Sequence, residues 1–447
     1  MKLPLPDEVK EALERLEDAG YEAFLVGGVR DLLLEREVND WDITTSAPPA
    51  RIKDIFSDCS QSCVGERFGT VTVFYRSVPL DITTYRKEGA YRDHRHPDKV
   101  HFTKNLFDDL KRRDFTVNAI CYNPQKGFRD FFCGKRDLKK KLIRAIGNAD
   151  ERFRQDAVRI LRALRFASTL GFHLEEKTKA ALHRNKELLR TVAPERILPE
   201  FRRMLCGKNI LHVLTEYSDV IGVLIPEILP AIGFSQHSPF HQYDVWQHTA
   251  HAVAHGAAVP EVRLSLFFHD ISKPDCLSID STGRGHFYSH PKKSAVIARD
   301  VMNRLKFPAK EIERVCLLVS YHDSHPSTRA DVKRLLGAVG EELFGFLIPI
   351  MEADTRAHSK WAVKRRLQHV HNLQETASSI LKNKECYSLK TLAVNGNDLE
   401  KIGLSGKQLG EALSYALQKV IGEEWKNEKE LILSEIQKNN WEIAKNH

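Results

Sequence analysis

The spacing of the apolar residues changes along the chain from a period typical of strands to a period typical of helices. This change restricts the fold to a strand-rich part followed by a helical part. Residues 21–85 contain short alternating runs, namely YEAFLVGG, NDWDITT and the pair TVTVFYR and VPLDITTY around a tight Ser-Val-Pro turn. Alternation with period two is typical of β-strands. From Asp150 the period is helical, with Ile160, Leu161 and Leu164 on one face and Gly171 as a C-terminal stop. The order predicts an α+β protein whose strands precede its helices.

Length and composition narrow the class of protein. A chain of 447 residues exceeds what one hydrophobic core usually organises, and its 42% hydrophobic and 29% charged residues exclude a disordered or collagen-like chain. No apolar run approaches the ~18 residues of a membrane helix. The N-terminus, MKLPLPDEVKEALERL, has acidic residues where a signal peptide would be apolar, so secretion is not expected. Eight cysteines without a CxxC pair favour a cytoplasmic location, and the net charge of +8 suits a polyanionic partner.

Three aspartates form the first candidate site. Asp40 and Asp42 lie two residues apart in a strand-like segment, so both carboxylates are expected on one face of the strand. Asp81 lies in a predicted neighbouring strand, within LDITTYR. Carboxylate oxygens are the ligands that Mg²⁺ prefers, and a two-metal site needs a carboxylate beyond the first pair. A DxD sequence alone also fits a solvated edge strand.

A glycine pair precedes these aspartates. Gly27-Gly28 opens a short helical pattern, so the backbone could approach a triphosphate at the helix N-terminus, with Arg30 placed to assist. A simple turn would also explain a glycine pair. The order GGxRD followed by DxD is much harder to explain as a turn plus an edge, and it predicts a phosphoryl-transfer site. Residues 86–111, which are basic and have no clear period, are predicted to be a long mobile loop.

These motifs resemble the polymerase-β-type nucleotidyltransferases, in their branch of class II tRNA nucleotidyltransferases and bacterial poly(A) polymerases. The resemblance runs in order through FLVGGVRDLLL…NDWDITT, VGERFGTV, LDITTYR, KRRDFTVNAI, the segment from DFFCGKRDLKKK to RFASTLGF, and PERILPE. It covers residues 21–200. It implies a nucleotidyltransferase head, built from a mixed sheet with helices, that is followed by an all-α neck.

The resemblance also implies roles for individual residues. Asp40 and Asp42, with Asp81 as the third carboxylate, would bind two Mg²⁺ ions, activate an RNA 3′-hydroxyl and steady the leaving pyrophosphate. The implied nucleotide-binding residues are Gly27, Gly28, Arg30, Arg113, Asp114, Asn118, Asp156, Arg159, Arg162 and Arg165. Among these, the residues of the RRDFTVNA motif would contact the ribose and the phosphates of the incoming nucleotide.

A pair of neck residues is expected to select the base. The spacing of Asp156 and Arg159 predicts that both side chains lie on one helical face. An ordinary ion pair on the helix surface would also explain this spacing. Asp can accept from the exocyclic amino group of C or A while Arg donates to ring acceptors, and G and U would leave the carboxylate unpaired. The family pattern has Glu where this chain has Gln155, which can hydrogen-bond to Arg159 without supplying charge. Arg196 and Glu200 of PERILPE are expected to form scaffold ion pairs.

Several reactions share these motifs. Relatives that add only CC typically lack the flexible segment after the third carboxylate, which is complete here, and poly(A) polymerases of this branch tend to have a long basic tail, whereas this C-terminus is mixed in charge. Addition of CCA to the tRNA 3′ end from CTP and ATP is therefore the first hypothesis. Addition of the terminal A alone is the second and poly(A) synthesis the third. A phosphohydrolase with an RNA-binding head and a non-catalytic RNA-binding protein are alternatives that the three intact carboxylates disfavour.

Histidines are crowded between His237 and His358. Their order resembles that of the HD superfamily of metal-dependent phosphohydrolases over about residues 240–360, in the sequence His248, His269, Asp270, His290, His322 and Asp354. The resemblance implies a divalent transition metal, with His290 and His322 bringing a second ion and Lys273 helping to bind phosphate. Some tRNA nucleotidyltransferases use such a domain as a phosphatase or 2′,3′-cyclic phosphodiesterase. Surface histidines of a purely structural body are the alternative.

The chain is thus predicted to have four parts: a head (1–145), a helical neck (146–215), an HD body (216–370) and a helical tail (371–447). In the tail, DLEKIGLSGKQLGEAL predicts a helix, a Gly-rich turn and a second helix, whose amides either hold an RNA phosphate or form a simple helix cap. The expected partners are the tRNA 3′ end, CTP and ATP, without a membrane. The oligomeric state is left open.

Overall fold

The fold was analysed in a computed structural model that describes residues 2–38, 40–89 and 100–438. The chain forms two compact units, Met1–Pro226 and Glu227–His447, and each is described by itself. Among the described residues, no helix combines the length and the apolar character that crossing a membrane would require.

The first unit contains eleven strands and eleven α-helices over its described residues. The strands are β1 (Ala23–Val26), β2 (Trp41–Thr45), β3 (Ser60–Ser62), β4 (Thr70–Tyr75), β5 (Val78–Thr84), β6 (Arg86–Glu88), β7 (Val100–Phe102), β8 (Cys121–Asn123), β9 (Gly127–Arg129), β10 (Leu142–Ile143) and β11 (His173–Leu174). The helices are α1 (Asp7–Asp18), α2 (Gly28–Leu33), α3 (Pro49–Ile55), α4 (Leu106–Lys111), α5 (Gly134–Lys139), α6 (Ala149–Gln155), α7 (Val158–Phe166), α8 (Glu176–Asn185), α9 (Pro194–Leu205), α10 (Ile210–Glu216) and α11 (Ser218–Leu224). Short 3-10 helices cover Glu66–Phe68, Thr116–Asn118 and Lys186–Thr191.

A seven-stranded sheet organises this unit. Its strand order is β3-β4-β5-β2-β1-β8-β9, and β2 and β5 are parallel whereas the other pairs are antiparallel. The predicted mixed sheet is therefore confirmed. Phe24 and Val26 of β1 belong to a buried cluster with Tyr85, Leu106 and Leu110, which fixes α4 against the sheet.

Two local predictions in this region are wrong. The turn between β4 and β5 is Arg76-Ser77, with φ of 46° and 71°, and not Ser-Val-Pro. Positive φ at both central residues is the geometry of a tight two-residue hairpin turn, which leaves the following valine and proline inside β5. The predicted loop over 86–111 contains the antiparallel hairpin β6–β7 and helix α4. Strands of three residues are too short to show a period, and residues 90–99 of the predicted loop lie outside the described residues.

The helical region after Asp150 is interrupted at one residue. Helix α6 ends at Gln155, Asp156 has an extended backbone (φ −146°, ψ 102°), and α7 begins at Val158. The prediction that Asp156 and Arg159 share one helix is therefore wrong. A π-helical turn, Ala167–Gly171, follows α7 and ends at Gly171 with φ of 71°, as the predicted stop requires.

The second unit is mainly helical. After the 3-10 helix Pro226–Ala231, its helices are α12 (Val245–His255), α13 (Pro260–Phe268), α14 (His290–Arg304), α15 (Ala309–Tyr321), α16 (Arg329–Val339), α17 (Glu341–Arg356), α18 (Lys360–Lys382), α19 (Gly396–Glu400), α20 (Lys407–Ile421) and α21 (Lys429–Lys438). Two further 3-10 helices cover Lys273–Cys276 and Leu389–Thr391, and strands β12 (Leu277–Ile279) and β13 (Gly285–Phe287) form a hairpin.

Two groups of helices can be distinguished in this unit. Helices α12, α13, α15 and α17 pack on one another, and α14 packs on α15. The last helices, α19–α21, share a separate buried cluster that includes Leu399, Ala416 and Ile432. The predicted helix–turn–helix of the tail corresponds to α19 and α20. The four-part division of the chain remains a prediction, and its boundaries at 215/216 and 370/371 fall inside α10 and α18.

Candidate active site

A cavity of about 640 Å³ lies in the first unit, next to the ends of β1 and β2. All ten predicted nucleotide-binding residues line it, together with two of the three predicted catalytic aspartates. Its lining comprises Gly27, Gly28, Arg30, Asp31, Val38, Asp40, Asp42, Arg112, Arg113, Asp114, Asn118, Asp156, Val158, Arg159, Arg162, Arg165, Phe166, Arg196, Pro199, Glu200 and Arg203. A cavity rich in arginine with carboxylates at one end is suited to a polyanionic ligand that carries a cation.

The register of two parallel strands brings the aspartates together. Asp42 on β2 and Asp81 on β5 are directly paired, and Asp40 immediately precedes β2. The Thr72 hydroxyl donates a 2.6 Å hydrogen bond to Asp81, which is not among the cavity-lining residues. Burial raises the pKa of Asp42 to about 6; Arg113 opposes this rise, and the neighbouring Asp81 and Asp40 add to it. Repulsion among these carboxylates would be relieved by a divalent cation.

Gly27 allows the backbone to lie against Asp42. Its φ is 70°, in the left-handed region, and a Cβ atom built on it would lie 2.8 Å from Asp42 Oδ2. A side chain at this position would therefore be strained and would also displace the carboxylate. This geometry explains why the turn before α2 needs glycine.

Asp114 is the centre of a polar network on the cavity wall. Its Oδ1 accepts from Asn118 Nδ2 at 2.9 Å, and its Oδ2 accepts from Arg162 Nε at 2.8 Å. Arg30 donates to the Asn118 side-chain oxygen, so residues of α2, the 3-10 helix Thr116–Asn118 and α7 are connected. Burial opposes ionisation of Asp114, but Arg162 and Asn118 outweigh it and hold its pKa well below its usual range. Asp114 is therefore a fixed negative charge that orients arginines.

Asp156 is oriented by an arginine from another helix. Arg196 of α9 forms a two-point ion pair with it, with Nη1–Oδ1 and Nη2–Oδ2 distances of 3.0 and 2.8 Å. Arg159 donates to the Arg112 carbonyl at 2.9 Å and to Gln155 Oε1 at 3.4 Å. The expected hydrogen bond between Gln155 and Arg159 is thus present, although Asp156 lies outside the helix.

Several lining residues were not in the predicted set. Glu200 pairs with Arg165 at 2.5 Å and with Arg162 at 3.5 Å, so the predicted ion pairing of Glu200, like that of Arg196, is confirmed. Arg112 is adjacent to Arg113 in the same motif, and Arg203 lies three residues after Glu200 on α9. Tracing that helical face from Glu200 would have found Arg203 in the sequence.

The predicted HD residues converge in the second unit. The described residues contain two sets of three ligand atoms within 4.8 Å of one another, one from His248, His269 and Asp354 and one from Asp270, His290 and His322. All six residues are buried. They come from five places along the chain, namely α12, the end of α13, the start of α14, the end of α15, and α17.

Backbone carbonyls fix the orientation of these histidines. Nδ1 of His269, His290 and His322 contacts the carbonyl oxygens of Leu266, Phe287 and Val319, at distances of 2.7, 2.8 and 2.7 Å. Each Nδ1 can therefore hold its proton toward a carbonyl, which leaves Nε2 as a lone-pair donor. The Nε2 atoms face each other in pairs, 3.4 Å apart for His248 and His269 and 3.3 Å for His290 and His322. This arrangement fits metal coordination.

Asp270 belongs to the second set and also lies close to the first, with Oδ2 3.2 Å from His269 Nε2 and 3.4 Å from His248 Nε2. Among the described residues, no donor makes a hydrogen bond of good geometry to either oxygen, although Lys273 Nζ lies 2.7 Å from Oδ2. Burial opposes protonation of His269, but Asp270 and Asp354 outweigh it and raise its pKa to about 10. The centre therefore favours an added positive charge, which a metal ion would supply in place of a proton. Lys273 is close enough to neutralise Asp270 and also contacts Gln236.

Two cavities are lined in part by the ligands of this centre. One, of 280 Å³, is polar and includes Lys273, Arg284 and His358, and the other, of 430 Å³, includes Met351, Trp361 and Val370. The rings of His241 and His358 each lie 5.1 Å from that of His248, and neither residue was predicted. The crowding of histidines in this part of the sequence is the only signal that could have included them, and it does not single them out.

Comparison with known families locates three matches along the chain. Residues 23–144 match the Poly A polymerase head domain, residues 171–229 match the RNA and SrmB-binding site of polymerase A, and residues 288–436 match tRNA nucleotidyltransferase domain 2. These matches cover both units and follow the order expected from the sequence motifs.

Individual proteins show the same similarity. The CCA-adding enzyme of Lactobacillus delbrueckii subsp. bulgaricus is 51% identical over 206 residues, which are 46% of this chain and 52% of that protein. The chain thus spans about half the length of the curated relatives it matches. The Bacillus stearothermophilus CCA-adding enzyme in complex with CTP has 28% identity and a TM-score of 0.71, over 98% of both chains.

A more distant structure shares the fold alone. The Thermotoga maritima CCA-adding enzyme complexed with tRNA is 21% identical, with a TM-score of 0.59 over 97% of this chain and 94% of that one. Domain matches in both units, a related enzyme at 51% identity and a fold shared over nearly the whole length therefore agree. The chain is therefore similar to CCA-adding enzymes and poly(A) polymerases in both of its units.

Proposed function

We propose that this protein adds CCA to the 3′ end of tRNA, without a nucleic-acid template, from CTP and ATP and with release of pyrophosphate. One observation carries the proposal. The glycine turn, two aspartates, four polar residues of the RRDFTVNA motif and the pair Asp156 and Arg159 all line one cavity of about 640 Å³. Relatives named CCA-adding enzyme support the choice of reaction.

The head residues would hold metal and nucleotide together. Nucleotidyl transfer in this family is metal-dependent, and two Mg²⁺ ions would fit Asp40, Asp42 and Asp81, where they would lower the pKa of the attacking hydroxyl and neutralise the leaving pyrophosphate. The backbone at the glycine turn before α2 and the guanidinium of Arg113 would bind the triphosphate. Asn118 and Asp114 are hydrogen-bonded to each other and would position the ribose.

Base selection would depend on a carboxylate already held in place. Arg196 and the Val158 amide together occupy three of the roughly four acceptor positions of the Asp156 carboxylate, which leaves about one for the amino group of C or A. Arg159, held at the Arg112 carbonyl, would donate to the ring acceptors. G and U would leave buried groups unpaired and so bind less well.

The test uses purified protein, Mg²⁺ and tRNA transcripts that end before CCA, after C or after CC. CTP and ATP are supplied singly and together, and the products are sized to one nucleotide. Completion of all three ends with a stop after A is the expected result. Extension of the CC-ended transcript alone would indicate an A-adding enzyme, and long A tails would indicate a poly(A) polymerase. No extension of any transcript would refute nucleotide addition.

We propose a second activity, metal-dependent hydrolysis of phosphate esters, for the histidine–aspartate centre of the second unit. Its support is the pair of buried ligand sets, which are adjacent because Asp270 of the second set lies 3.2 Å from His269 and 3.4 Å from His248 of the first. Divalent transition metals bound there would lower the pKa of a water molecule and neutralise phosphate charge. Lys273 and Arg284, which line the polar cavity, would contact the phosphate.

Paired variants separate the two activities. Asp42→Asn should abolish nucleotide addition and leave hydrolysis of a phosphomonoester or 2′,3′-cyclic nucleotide unchanged. His269→Ala with Asp270→Ala should have the opposite effect in the presence of Mn²⁺, Co²⁺ or Ni²⁺. Hydrolysis that survives the double substitution would contradict the assignment of the metal centre.

The remaining assignments complete the proposal. The head, neck, body and tail would correspond to residues 1–145, 146–215, 216–370 and 371–447, with the tail contacting tRNA near the turn between α19 and α20. Gly403 and Gly406 have positive φ in that turn, which suits close approach of a phosphate as well as helix capping. Cytoplasmic action fits the eight cysteines, all of which are free thiols.

A further inference from the structure

A buried carboxylate next to the nucleotide cavity was not among the predicted site residues. Asp109 lies on α4 and is 0% exposed. Its Oδ2 accepts a 3.0 Å hydrogen bond from the Thr44 hydroxyl, and its Oδ1 accepts a 3.3 Å bond from the Arg86 amide. Thr44 is two residues beyond Asp42 on β2, and Arg86 begins β6. One side chain therefore connects the strand of Asp42 to the hairpin that follows β5.

The same carboxylate pairs with both arginines of the RRDFTVNA motif. Arg112 Nε and Nη2 lie 2.9 and 2.8 Å from Oδ1, and Arg113 Nη2 lies 3.4 Å from Oδ2. Burial opposes ionisation of Asp109, but the two arginines outweigh it, so its pKa lies below the usual range. Asp109 is thus a permanent negative charge behind two cationic side chains.

The buried Nε of Arg113 has no hydrogen-bond partner among the described residues, whereas the Nε of Arg112 donates to Asp109. Arg113 lines the cavity, as does Asp42, and its charge opposes the raised pKa of that carboxyl. A largely buried arginine with a spare donor beside a cavity is suited to an anionic ligand. Its position depends on Asp109, the carboxylate that pairs with it.

We propose that Asp109 is a positioning residue for nucleotide binding, which holds Arg113 against the triphosphate at a place fixed relative to Asp42 through Thr44. The inference rests on the proposed function, because the anion in question is the triphosphate of CTP or ATP. Within the described part of the chain, Asp109 makes no direct hydrogen bond to Asp156 or Arg159, although its partner Arg112 accepts from Arg159 through the backbone carbonyl. We therefore expect its effect to be the same for both nucleotides.

The first measurement compares the wild type with Asp109→Asn, which keeps the shape and removes the charge. KM for CTP and for ATP should rise by the same factor, about tenfold, as expected for loss of a charge-assisted contact. We expect kcat to change by less than about threefold. The matched control is Asp108→Asn, because Asp108 lies on the same helix and pairs with Lys87 at 2.9 Å; its kinetic constants should stay within about twofold.

A double-mutant cycle separates positioning from general support of the fold. If Asp109 acts through Arg113, adding Asp109→Asn to Arg113→Ala should change KM by less than about twofold. Equal effects in both backgrounds, or a fall in kcat and Tm at constant KM, would overturn the proposal. If Asp109→Asn fails to fold, Thr44→Val removes one support and should raise KM about threefold. An unchanged KM in that variant would also overturn it.

Equilibrium binding of CTP, without RNA, distinguishes this inference from the proposed function. If the wild type extends tRNA and the Asp109→Asn variant binds CTP with the wild-type affinity, only the role of Asp109 is refuted. A wild type that extends no transcript would refute CCA addition. In that case, tenfold weaker CTP binding by Asp109→Asn would still support the positioning role, and equal binding would refute it.

Discussion

Single residues of the head cavity are placed by contacts that leave little freedom. Asp42 is held by its strand register opposite Asp81, and its carboxyl has a pKa of about 6 because it is buried among like charges. A divalent cation bound among these carboxylates would stabilise the ionised form of Asp42. Charge, more than shape, should therefore decide the effect of changing it.

Asp42→Asn should lower the rate of nucleotide addition by at least about a thousandfold, since metal-ion stabilisation of this kind contributes several kcal/mol. The Tm should fall little or even rise, because the change removes a repelled buried charge. Single-turnover addition to a CC-ended tRNA measures the rate, and thermal unfolding measures stability. Asp58→Asn, which removes a mostly exposed partner of Arg15, is the control and should keep full activity. An active Asp42→Asn protein would contradict the metal assignment.

Gly27→Ala should lower both the stability of the protein and its nucleotide-adding activity. A residue with a Cβ at φ of 70° costs about 1–2 kcal/mol, and here the atom would also lie 2.8 Å from Asp42 Oδ2. The matched control is Gly127→Ala, which has φ of 71° and nothing within 4 Å of the added atom. Both variants should lose similar stability in urea titrations, and only Gly27→Ala should lose at least about tenfold in activity. Equal activities would show that Gly27 serves the turn alone.

Arg196→Gln should weaken discrimination among bases more than it weakens catalysis. The substitution removes the two-point pairing that orients Asp156, so incorporation of U or G relative to C or A should rise about tenfold. Competition assays with all four nucleotides would measure this ratio. Arg190→Gln, at an exposed pair with Glu187, should leave it unchanged. A variant that is inactive with every nucleotide, yet correctly folded, would indicate a catalytic role instead.

At the scale of elements, ion pairs join helices that are distant in sequence. Glu385 follows α18 and receives Arg329 and Lys333 from α16, at Nε–Oε2 and Nζ–Oε2 distances of 3.1 Å each. These partners, Arg329 first, lower the pKa of Glu385 to about 2. The carboxylate therefore stabilises the fold above its unfolded pKa, near 4.5, and this contribution disappears as the pH falls from about 4.5 towards 2.

Glu385→Gln should thus destabilise the protein at pH 7 and have a much smaller effect near pH 2.5. Because Glu385 is about one quarter exposed, we expect a loss of about 1 kcal/mol at neutral pH. Urea unfolding at several pH values would measure the free energy of unfolding of both proteins. Glu187→Gln, at an exposed pair, should show no such dependence. A constant difference across the pH range would mean that packing, rather than charge, explains the effect.

The elements also show what could be predicted from the sequence. Strands β1, β2, β4 and β5 followed from alternation, because each strand is long enough to show its period. The sequence predicted Asp81 on a strand next to that of Asp42, and the structure adds that the two residues are directly paired. The break between α6 and α7 at Asp156 could not be predicted, because the residues on both sides have a helical composition. Arg196, which pairs with Asp156, is 40 residues away in the sequence. The hairpin β6–β7 was missed for a related reason, as its strands depend on each other and not on a local pattern.

At the scale of the whole molecule, chemistry is expected in both compact units. In the second unit the predicted ligands were brought together completely, because the HD pattern specifies residue types at positions that helices bring into one centre. The histidines His241 and His358 beside that centre were not found, since ring contacts do not follow sequence spacing. The HD motif thus predicted the metal ligands, whereas the residues packed around them could be identified only from the structure.

Removing metal should lower stability through the second unit. A transition metal at a hundredfold excess over its Kd would stabilise the folded state by about 2.7 kcal/mol, so chelator treatment should lower Tm and Mn²⁺, Co²⁺ or Ni²⁺ should restore it. His269→Ala with Asp270→Ala should abolish this response. His371→Ala, which changes an exposed histidine paired with Glu352, should retain it. A metal-independent Tm in the wild type would argue against the centre.

The parallel pairing of β2 and β5 has a consequence for insertions and deletions. The distance between Asp42 and Asp81 is set by a ladder of backbone hydrogen bonds, so rotation of a side chain cannot correct a change in chain length. One extra residue in β5 before Asp81 would present Leu80 beside Asp42 and turn the carboxylate to the opposite face. In a library of single-residue insertions, variants in these two strands should be uniformly inactive, whereas insertions in the turn between β8 and β9 should often survive. This part of the chain should tolerate changes of residue type better than changes of length.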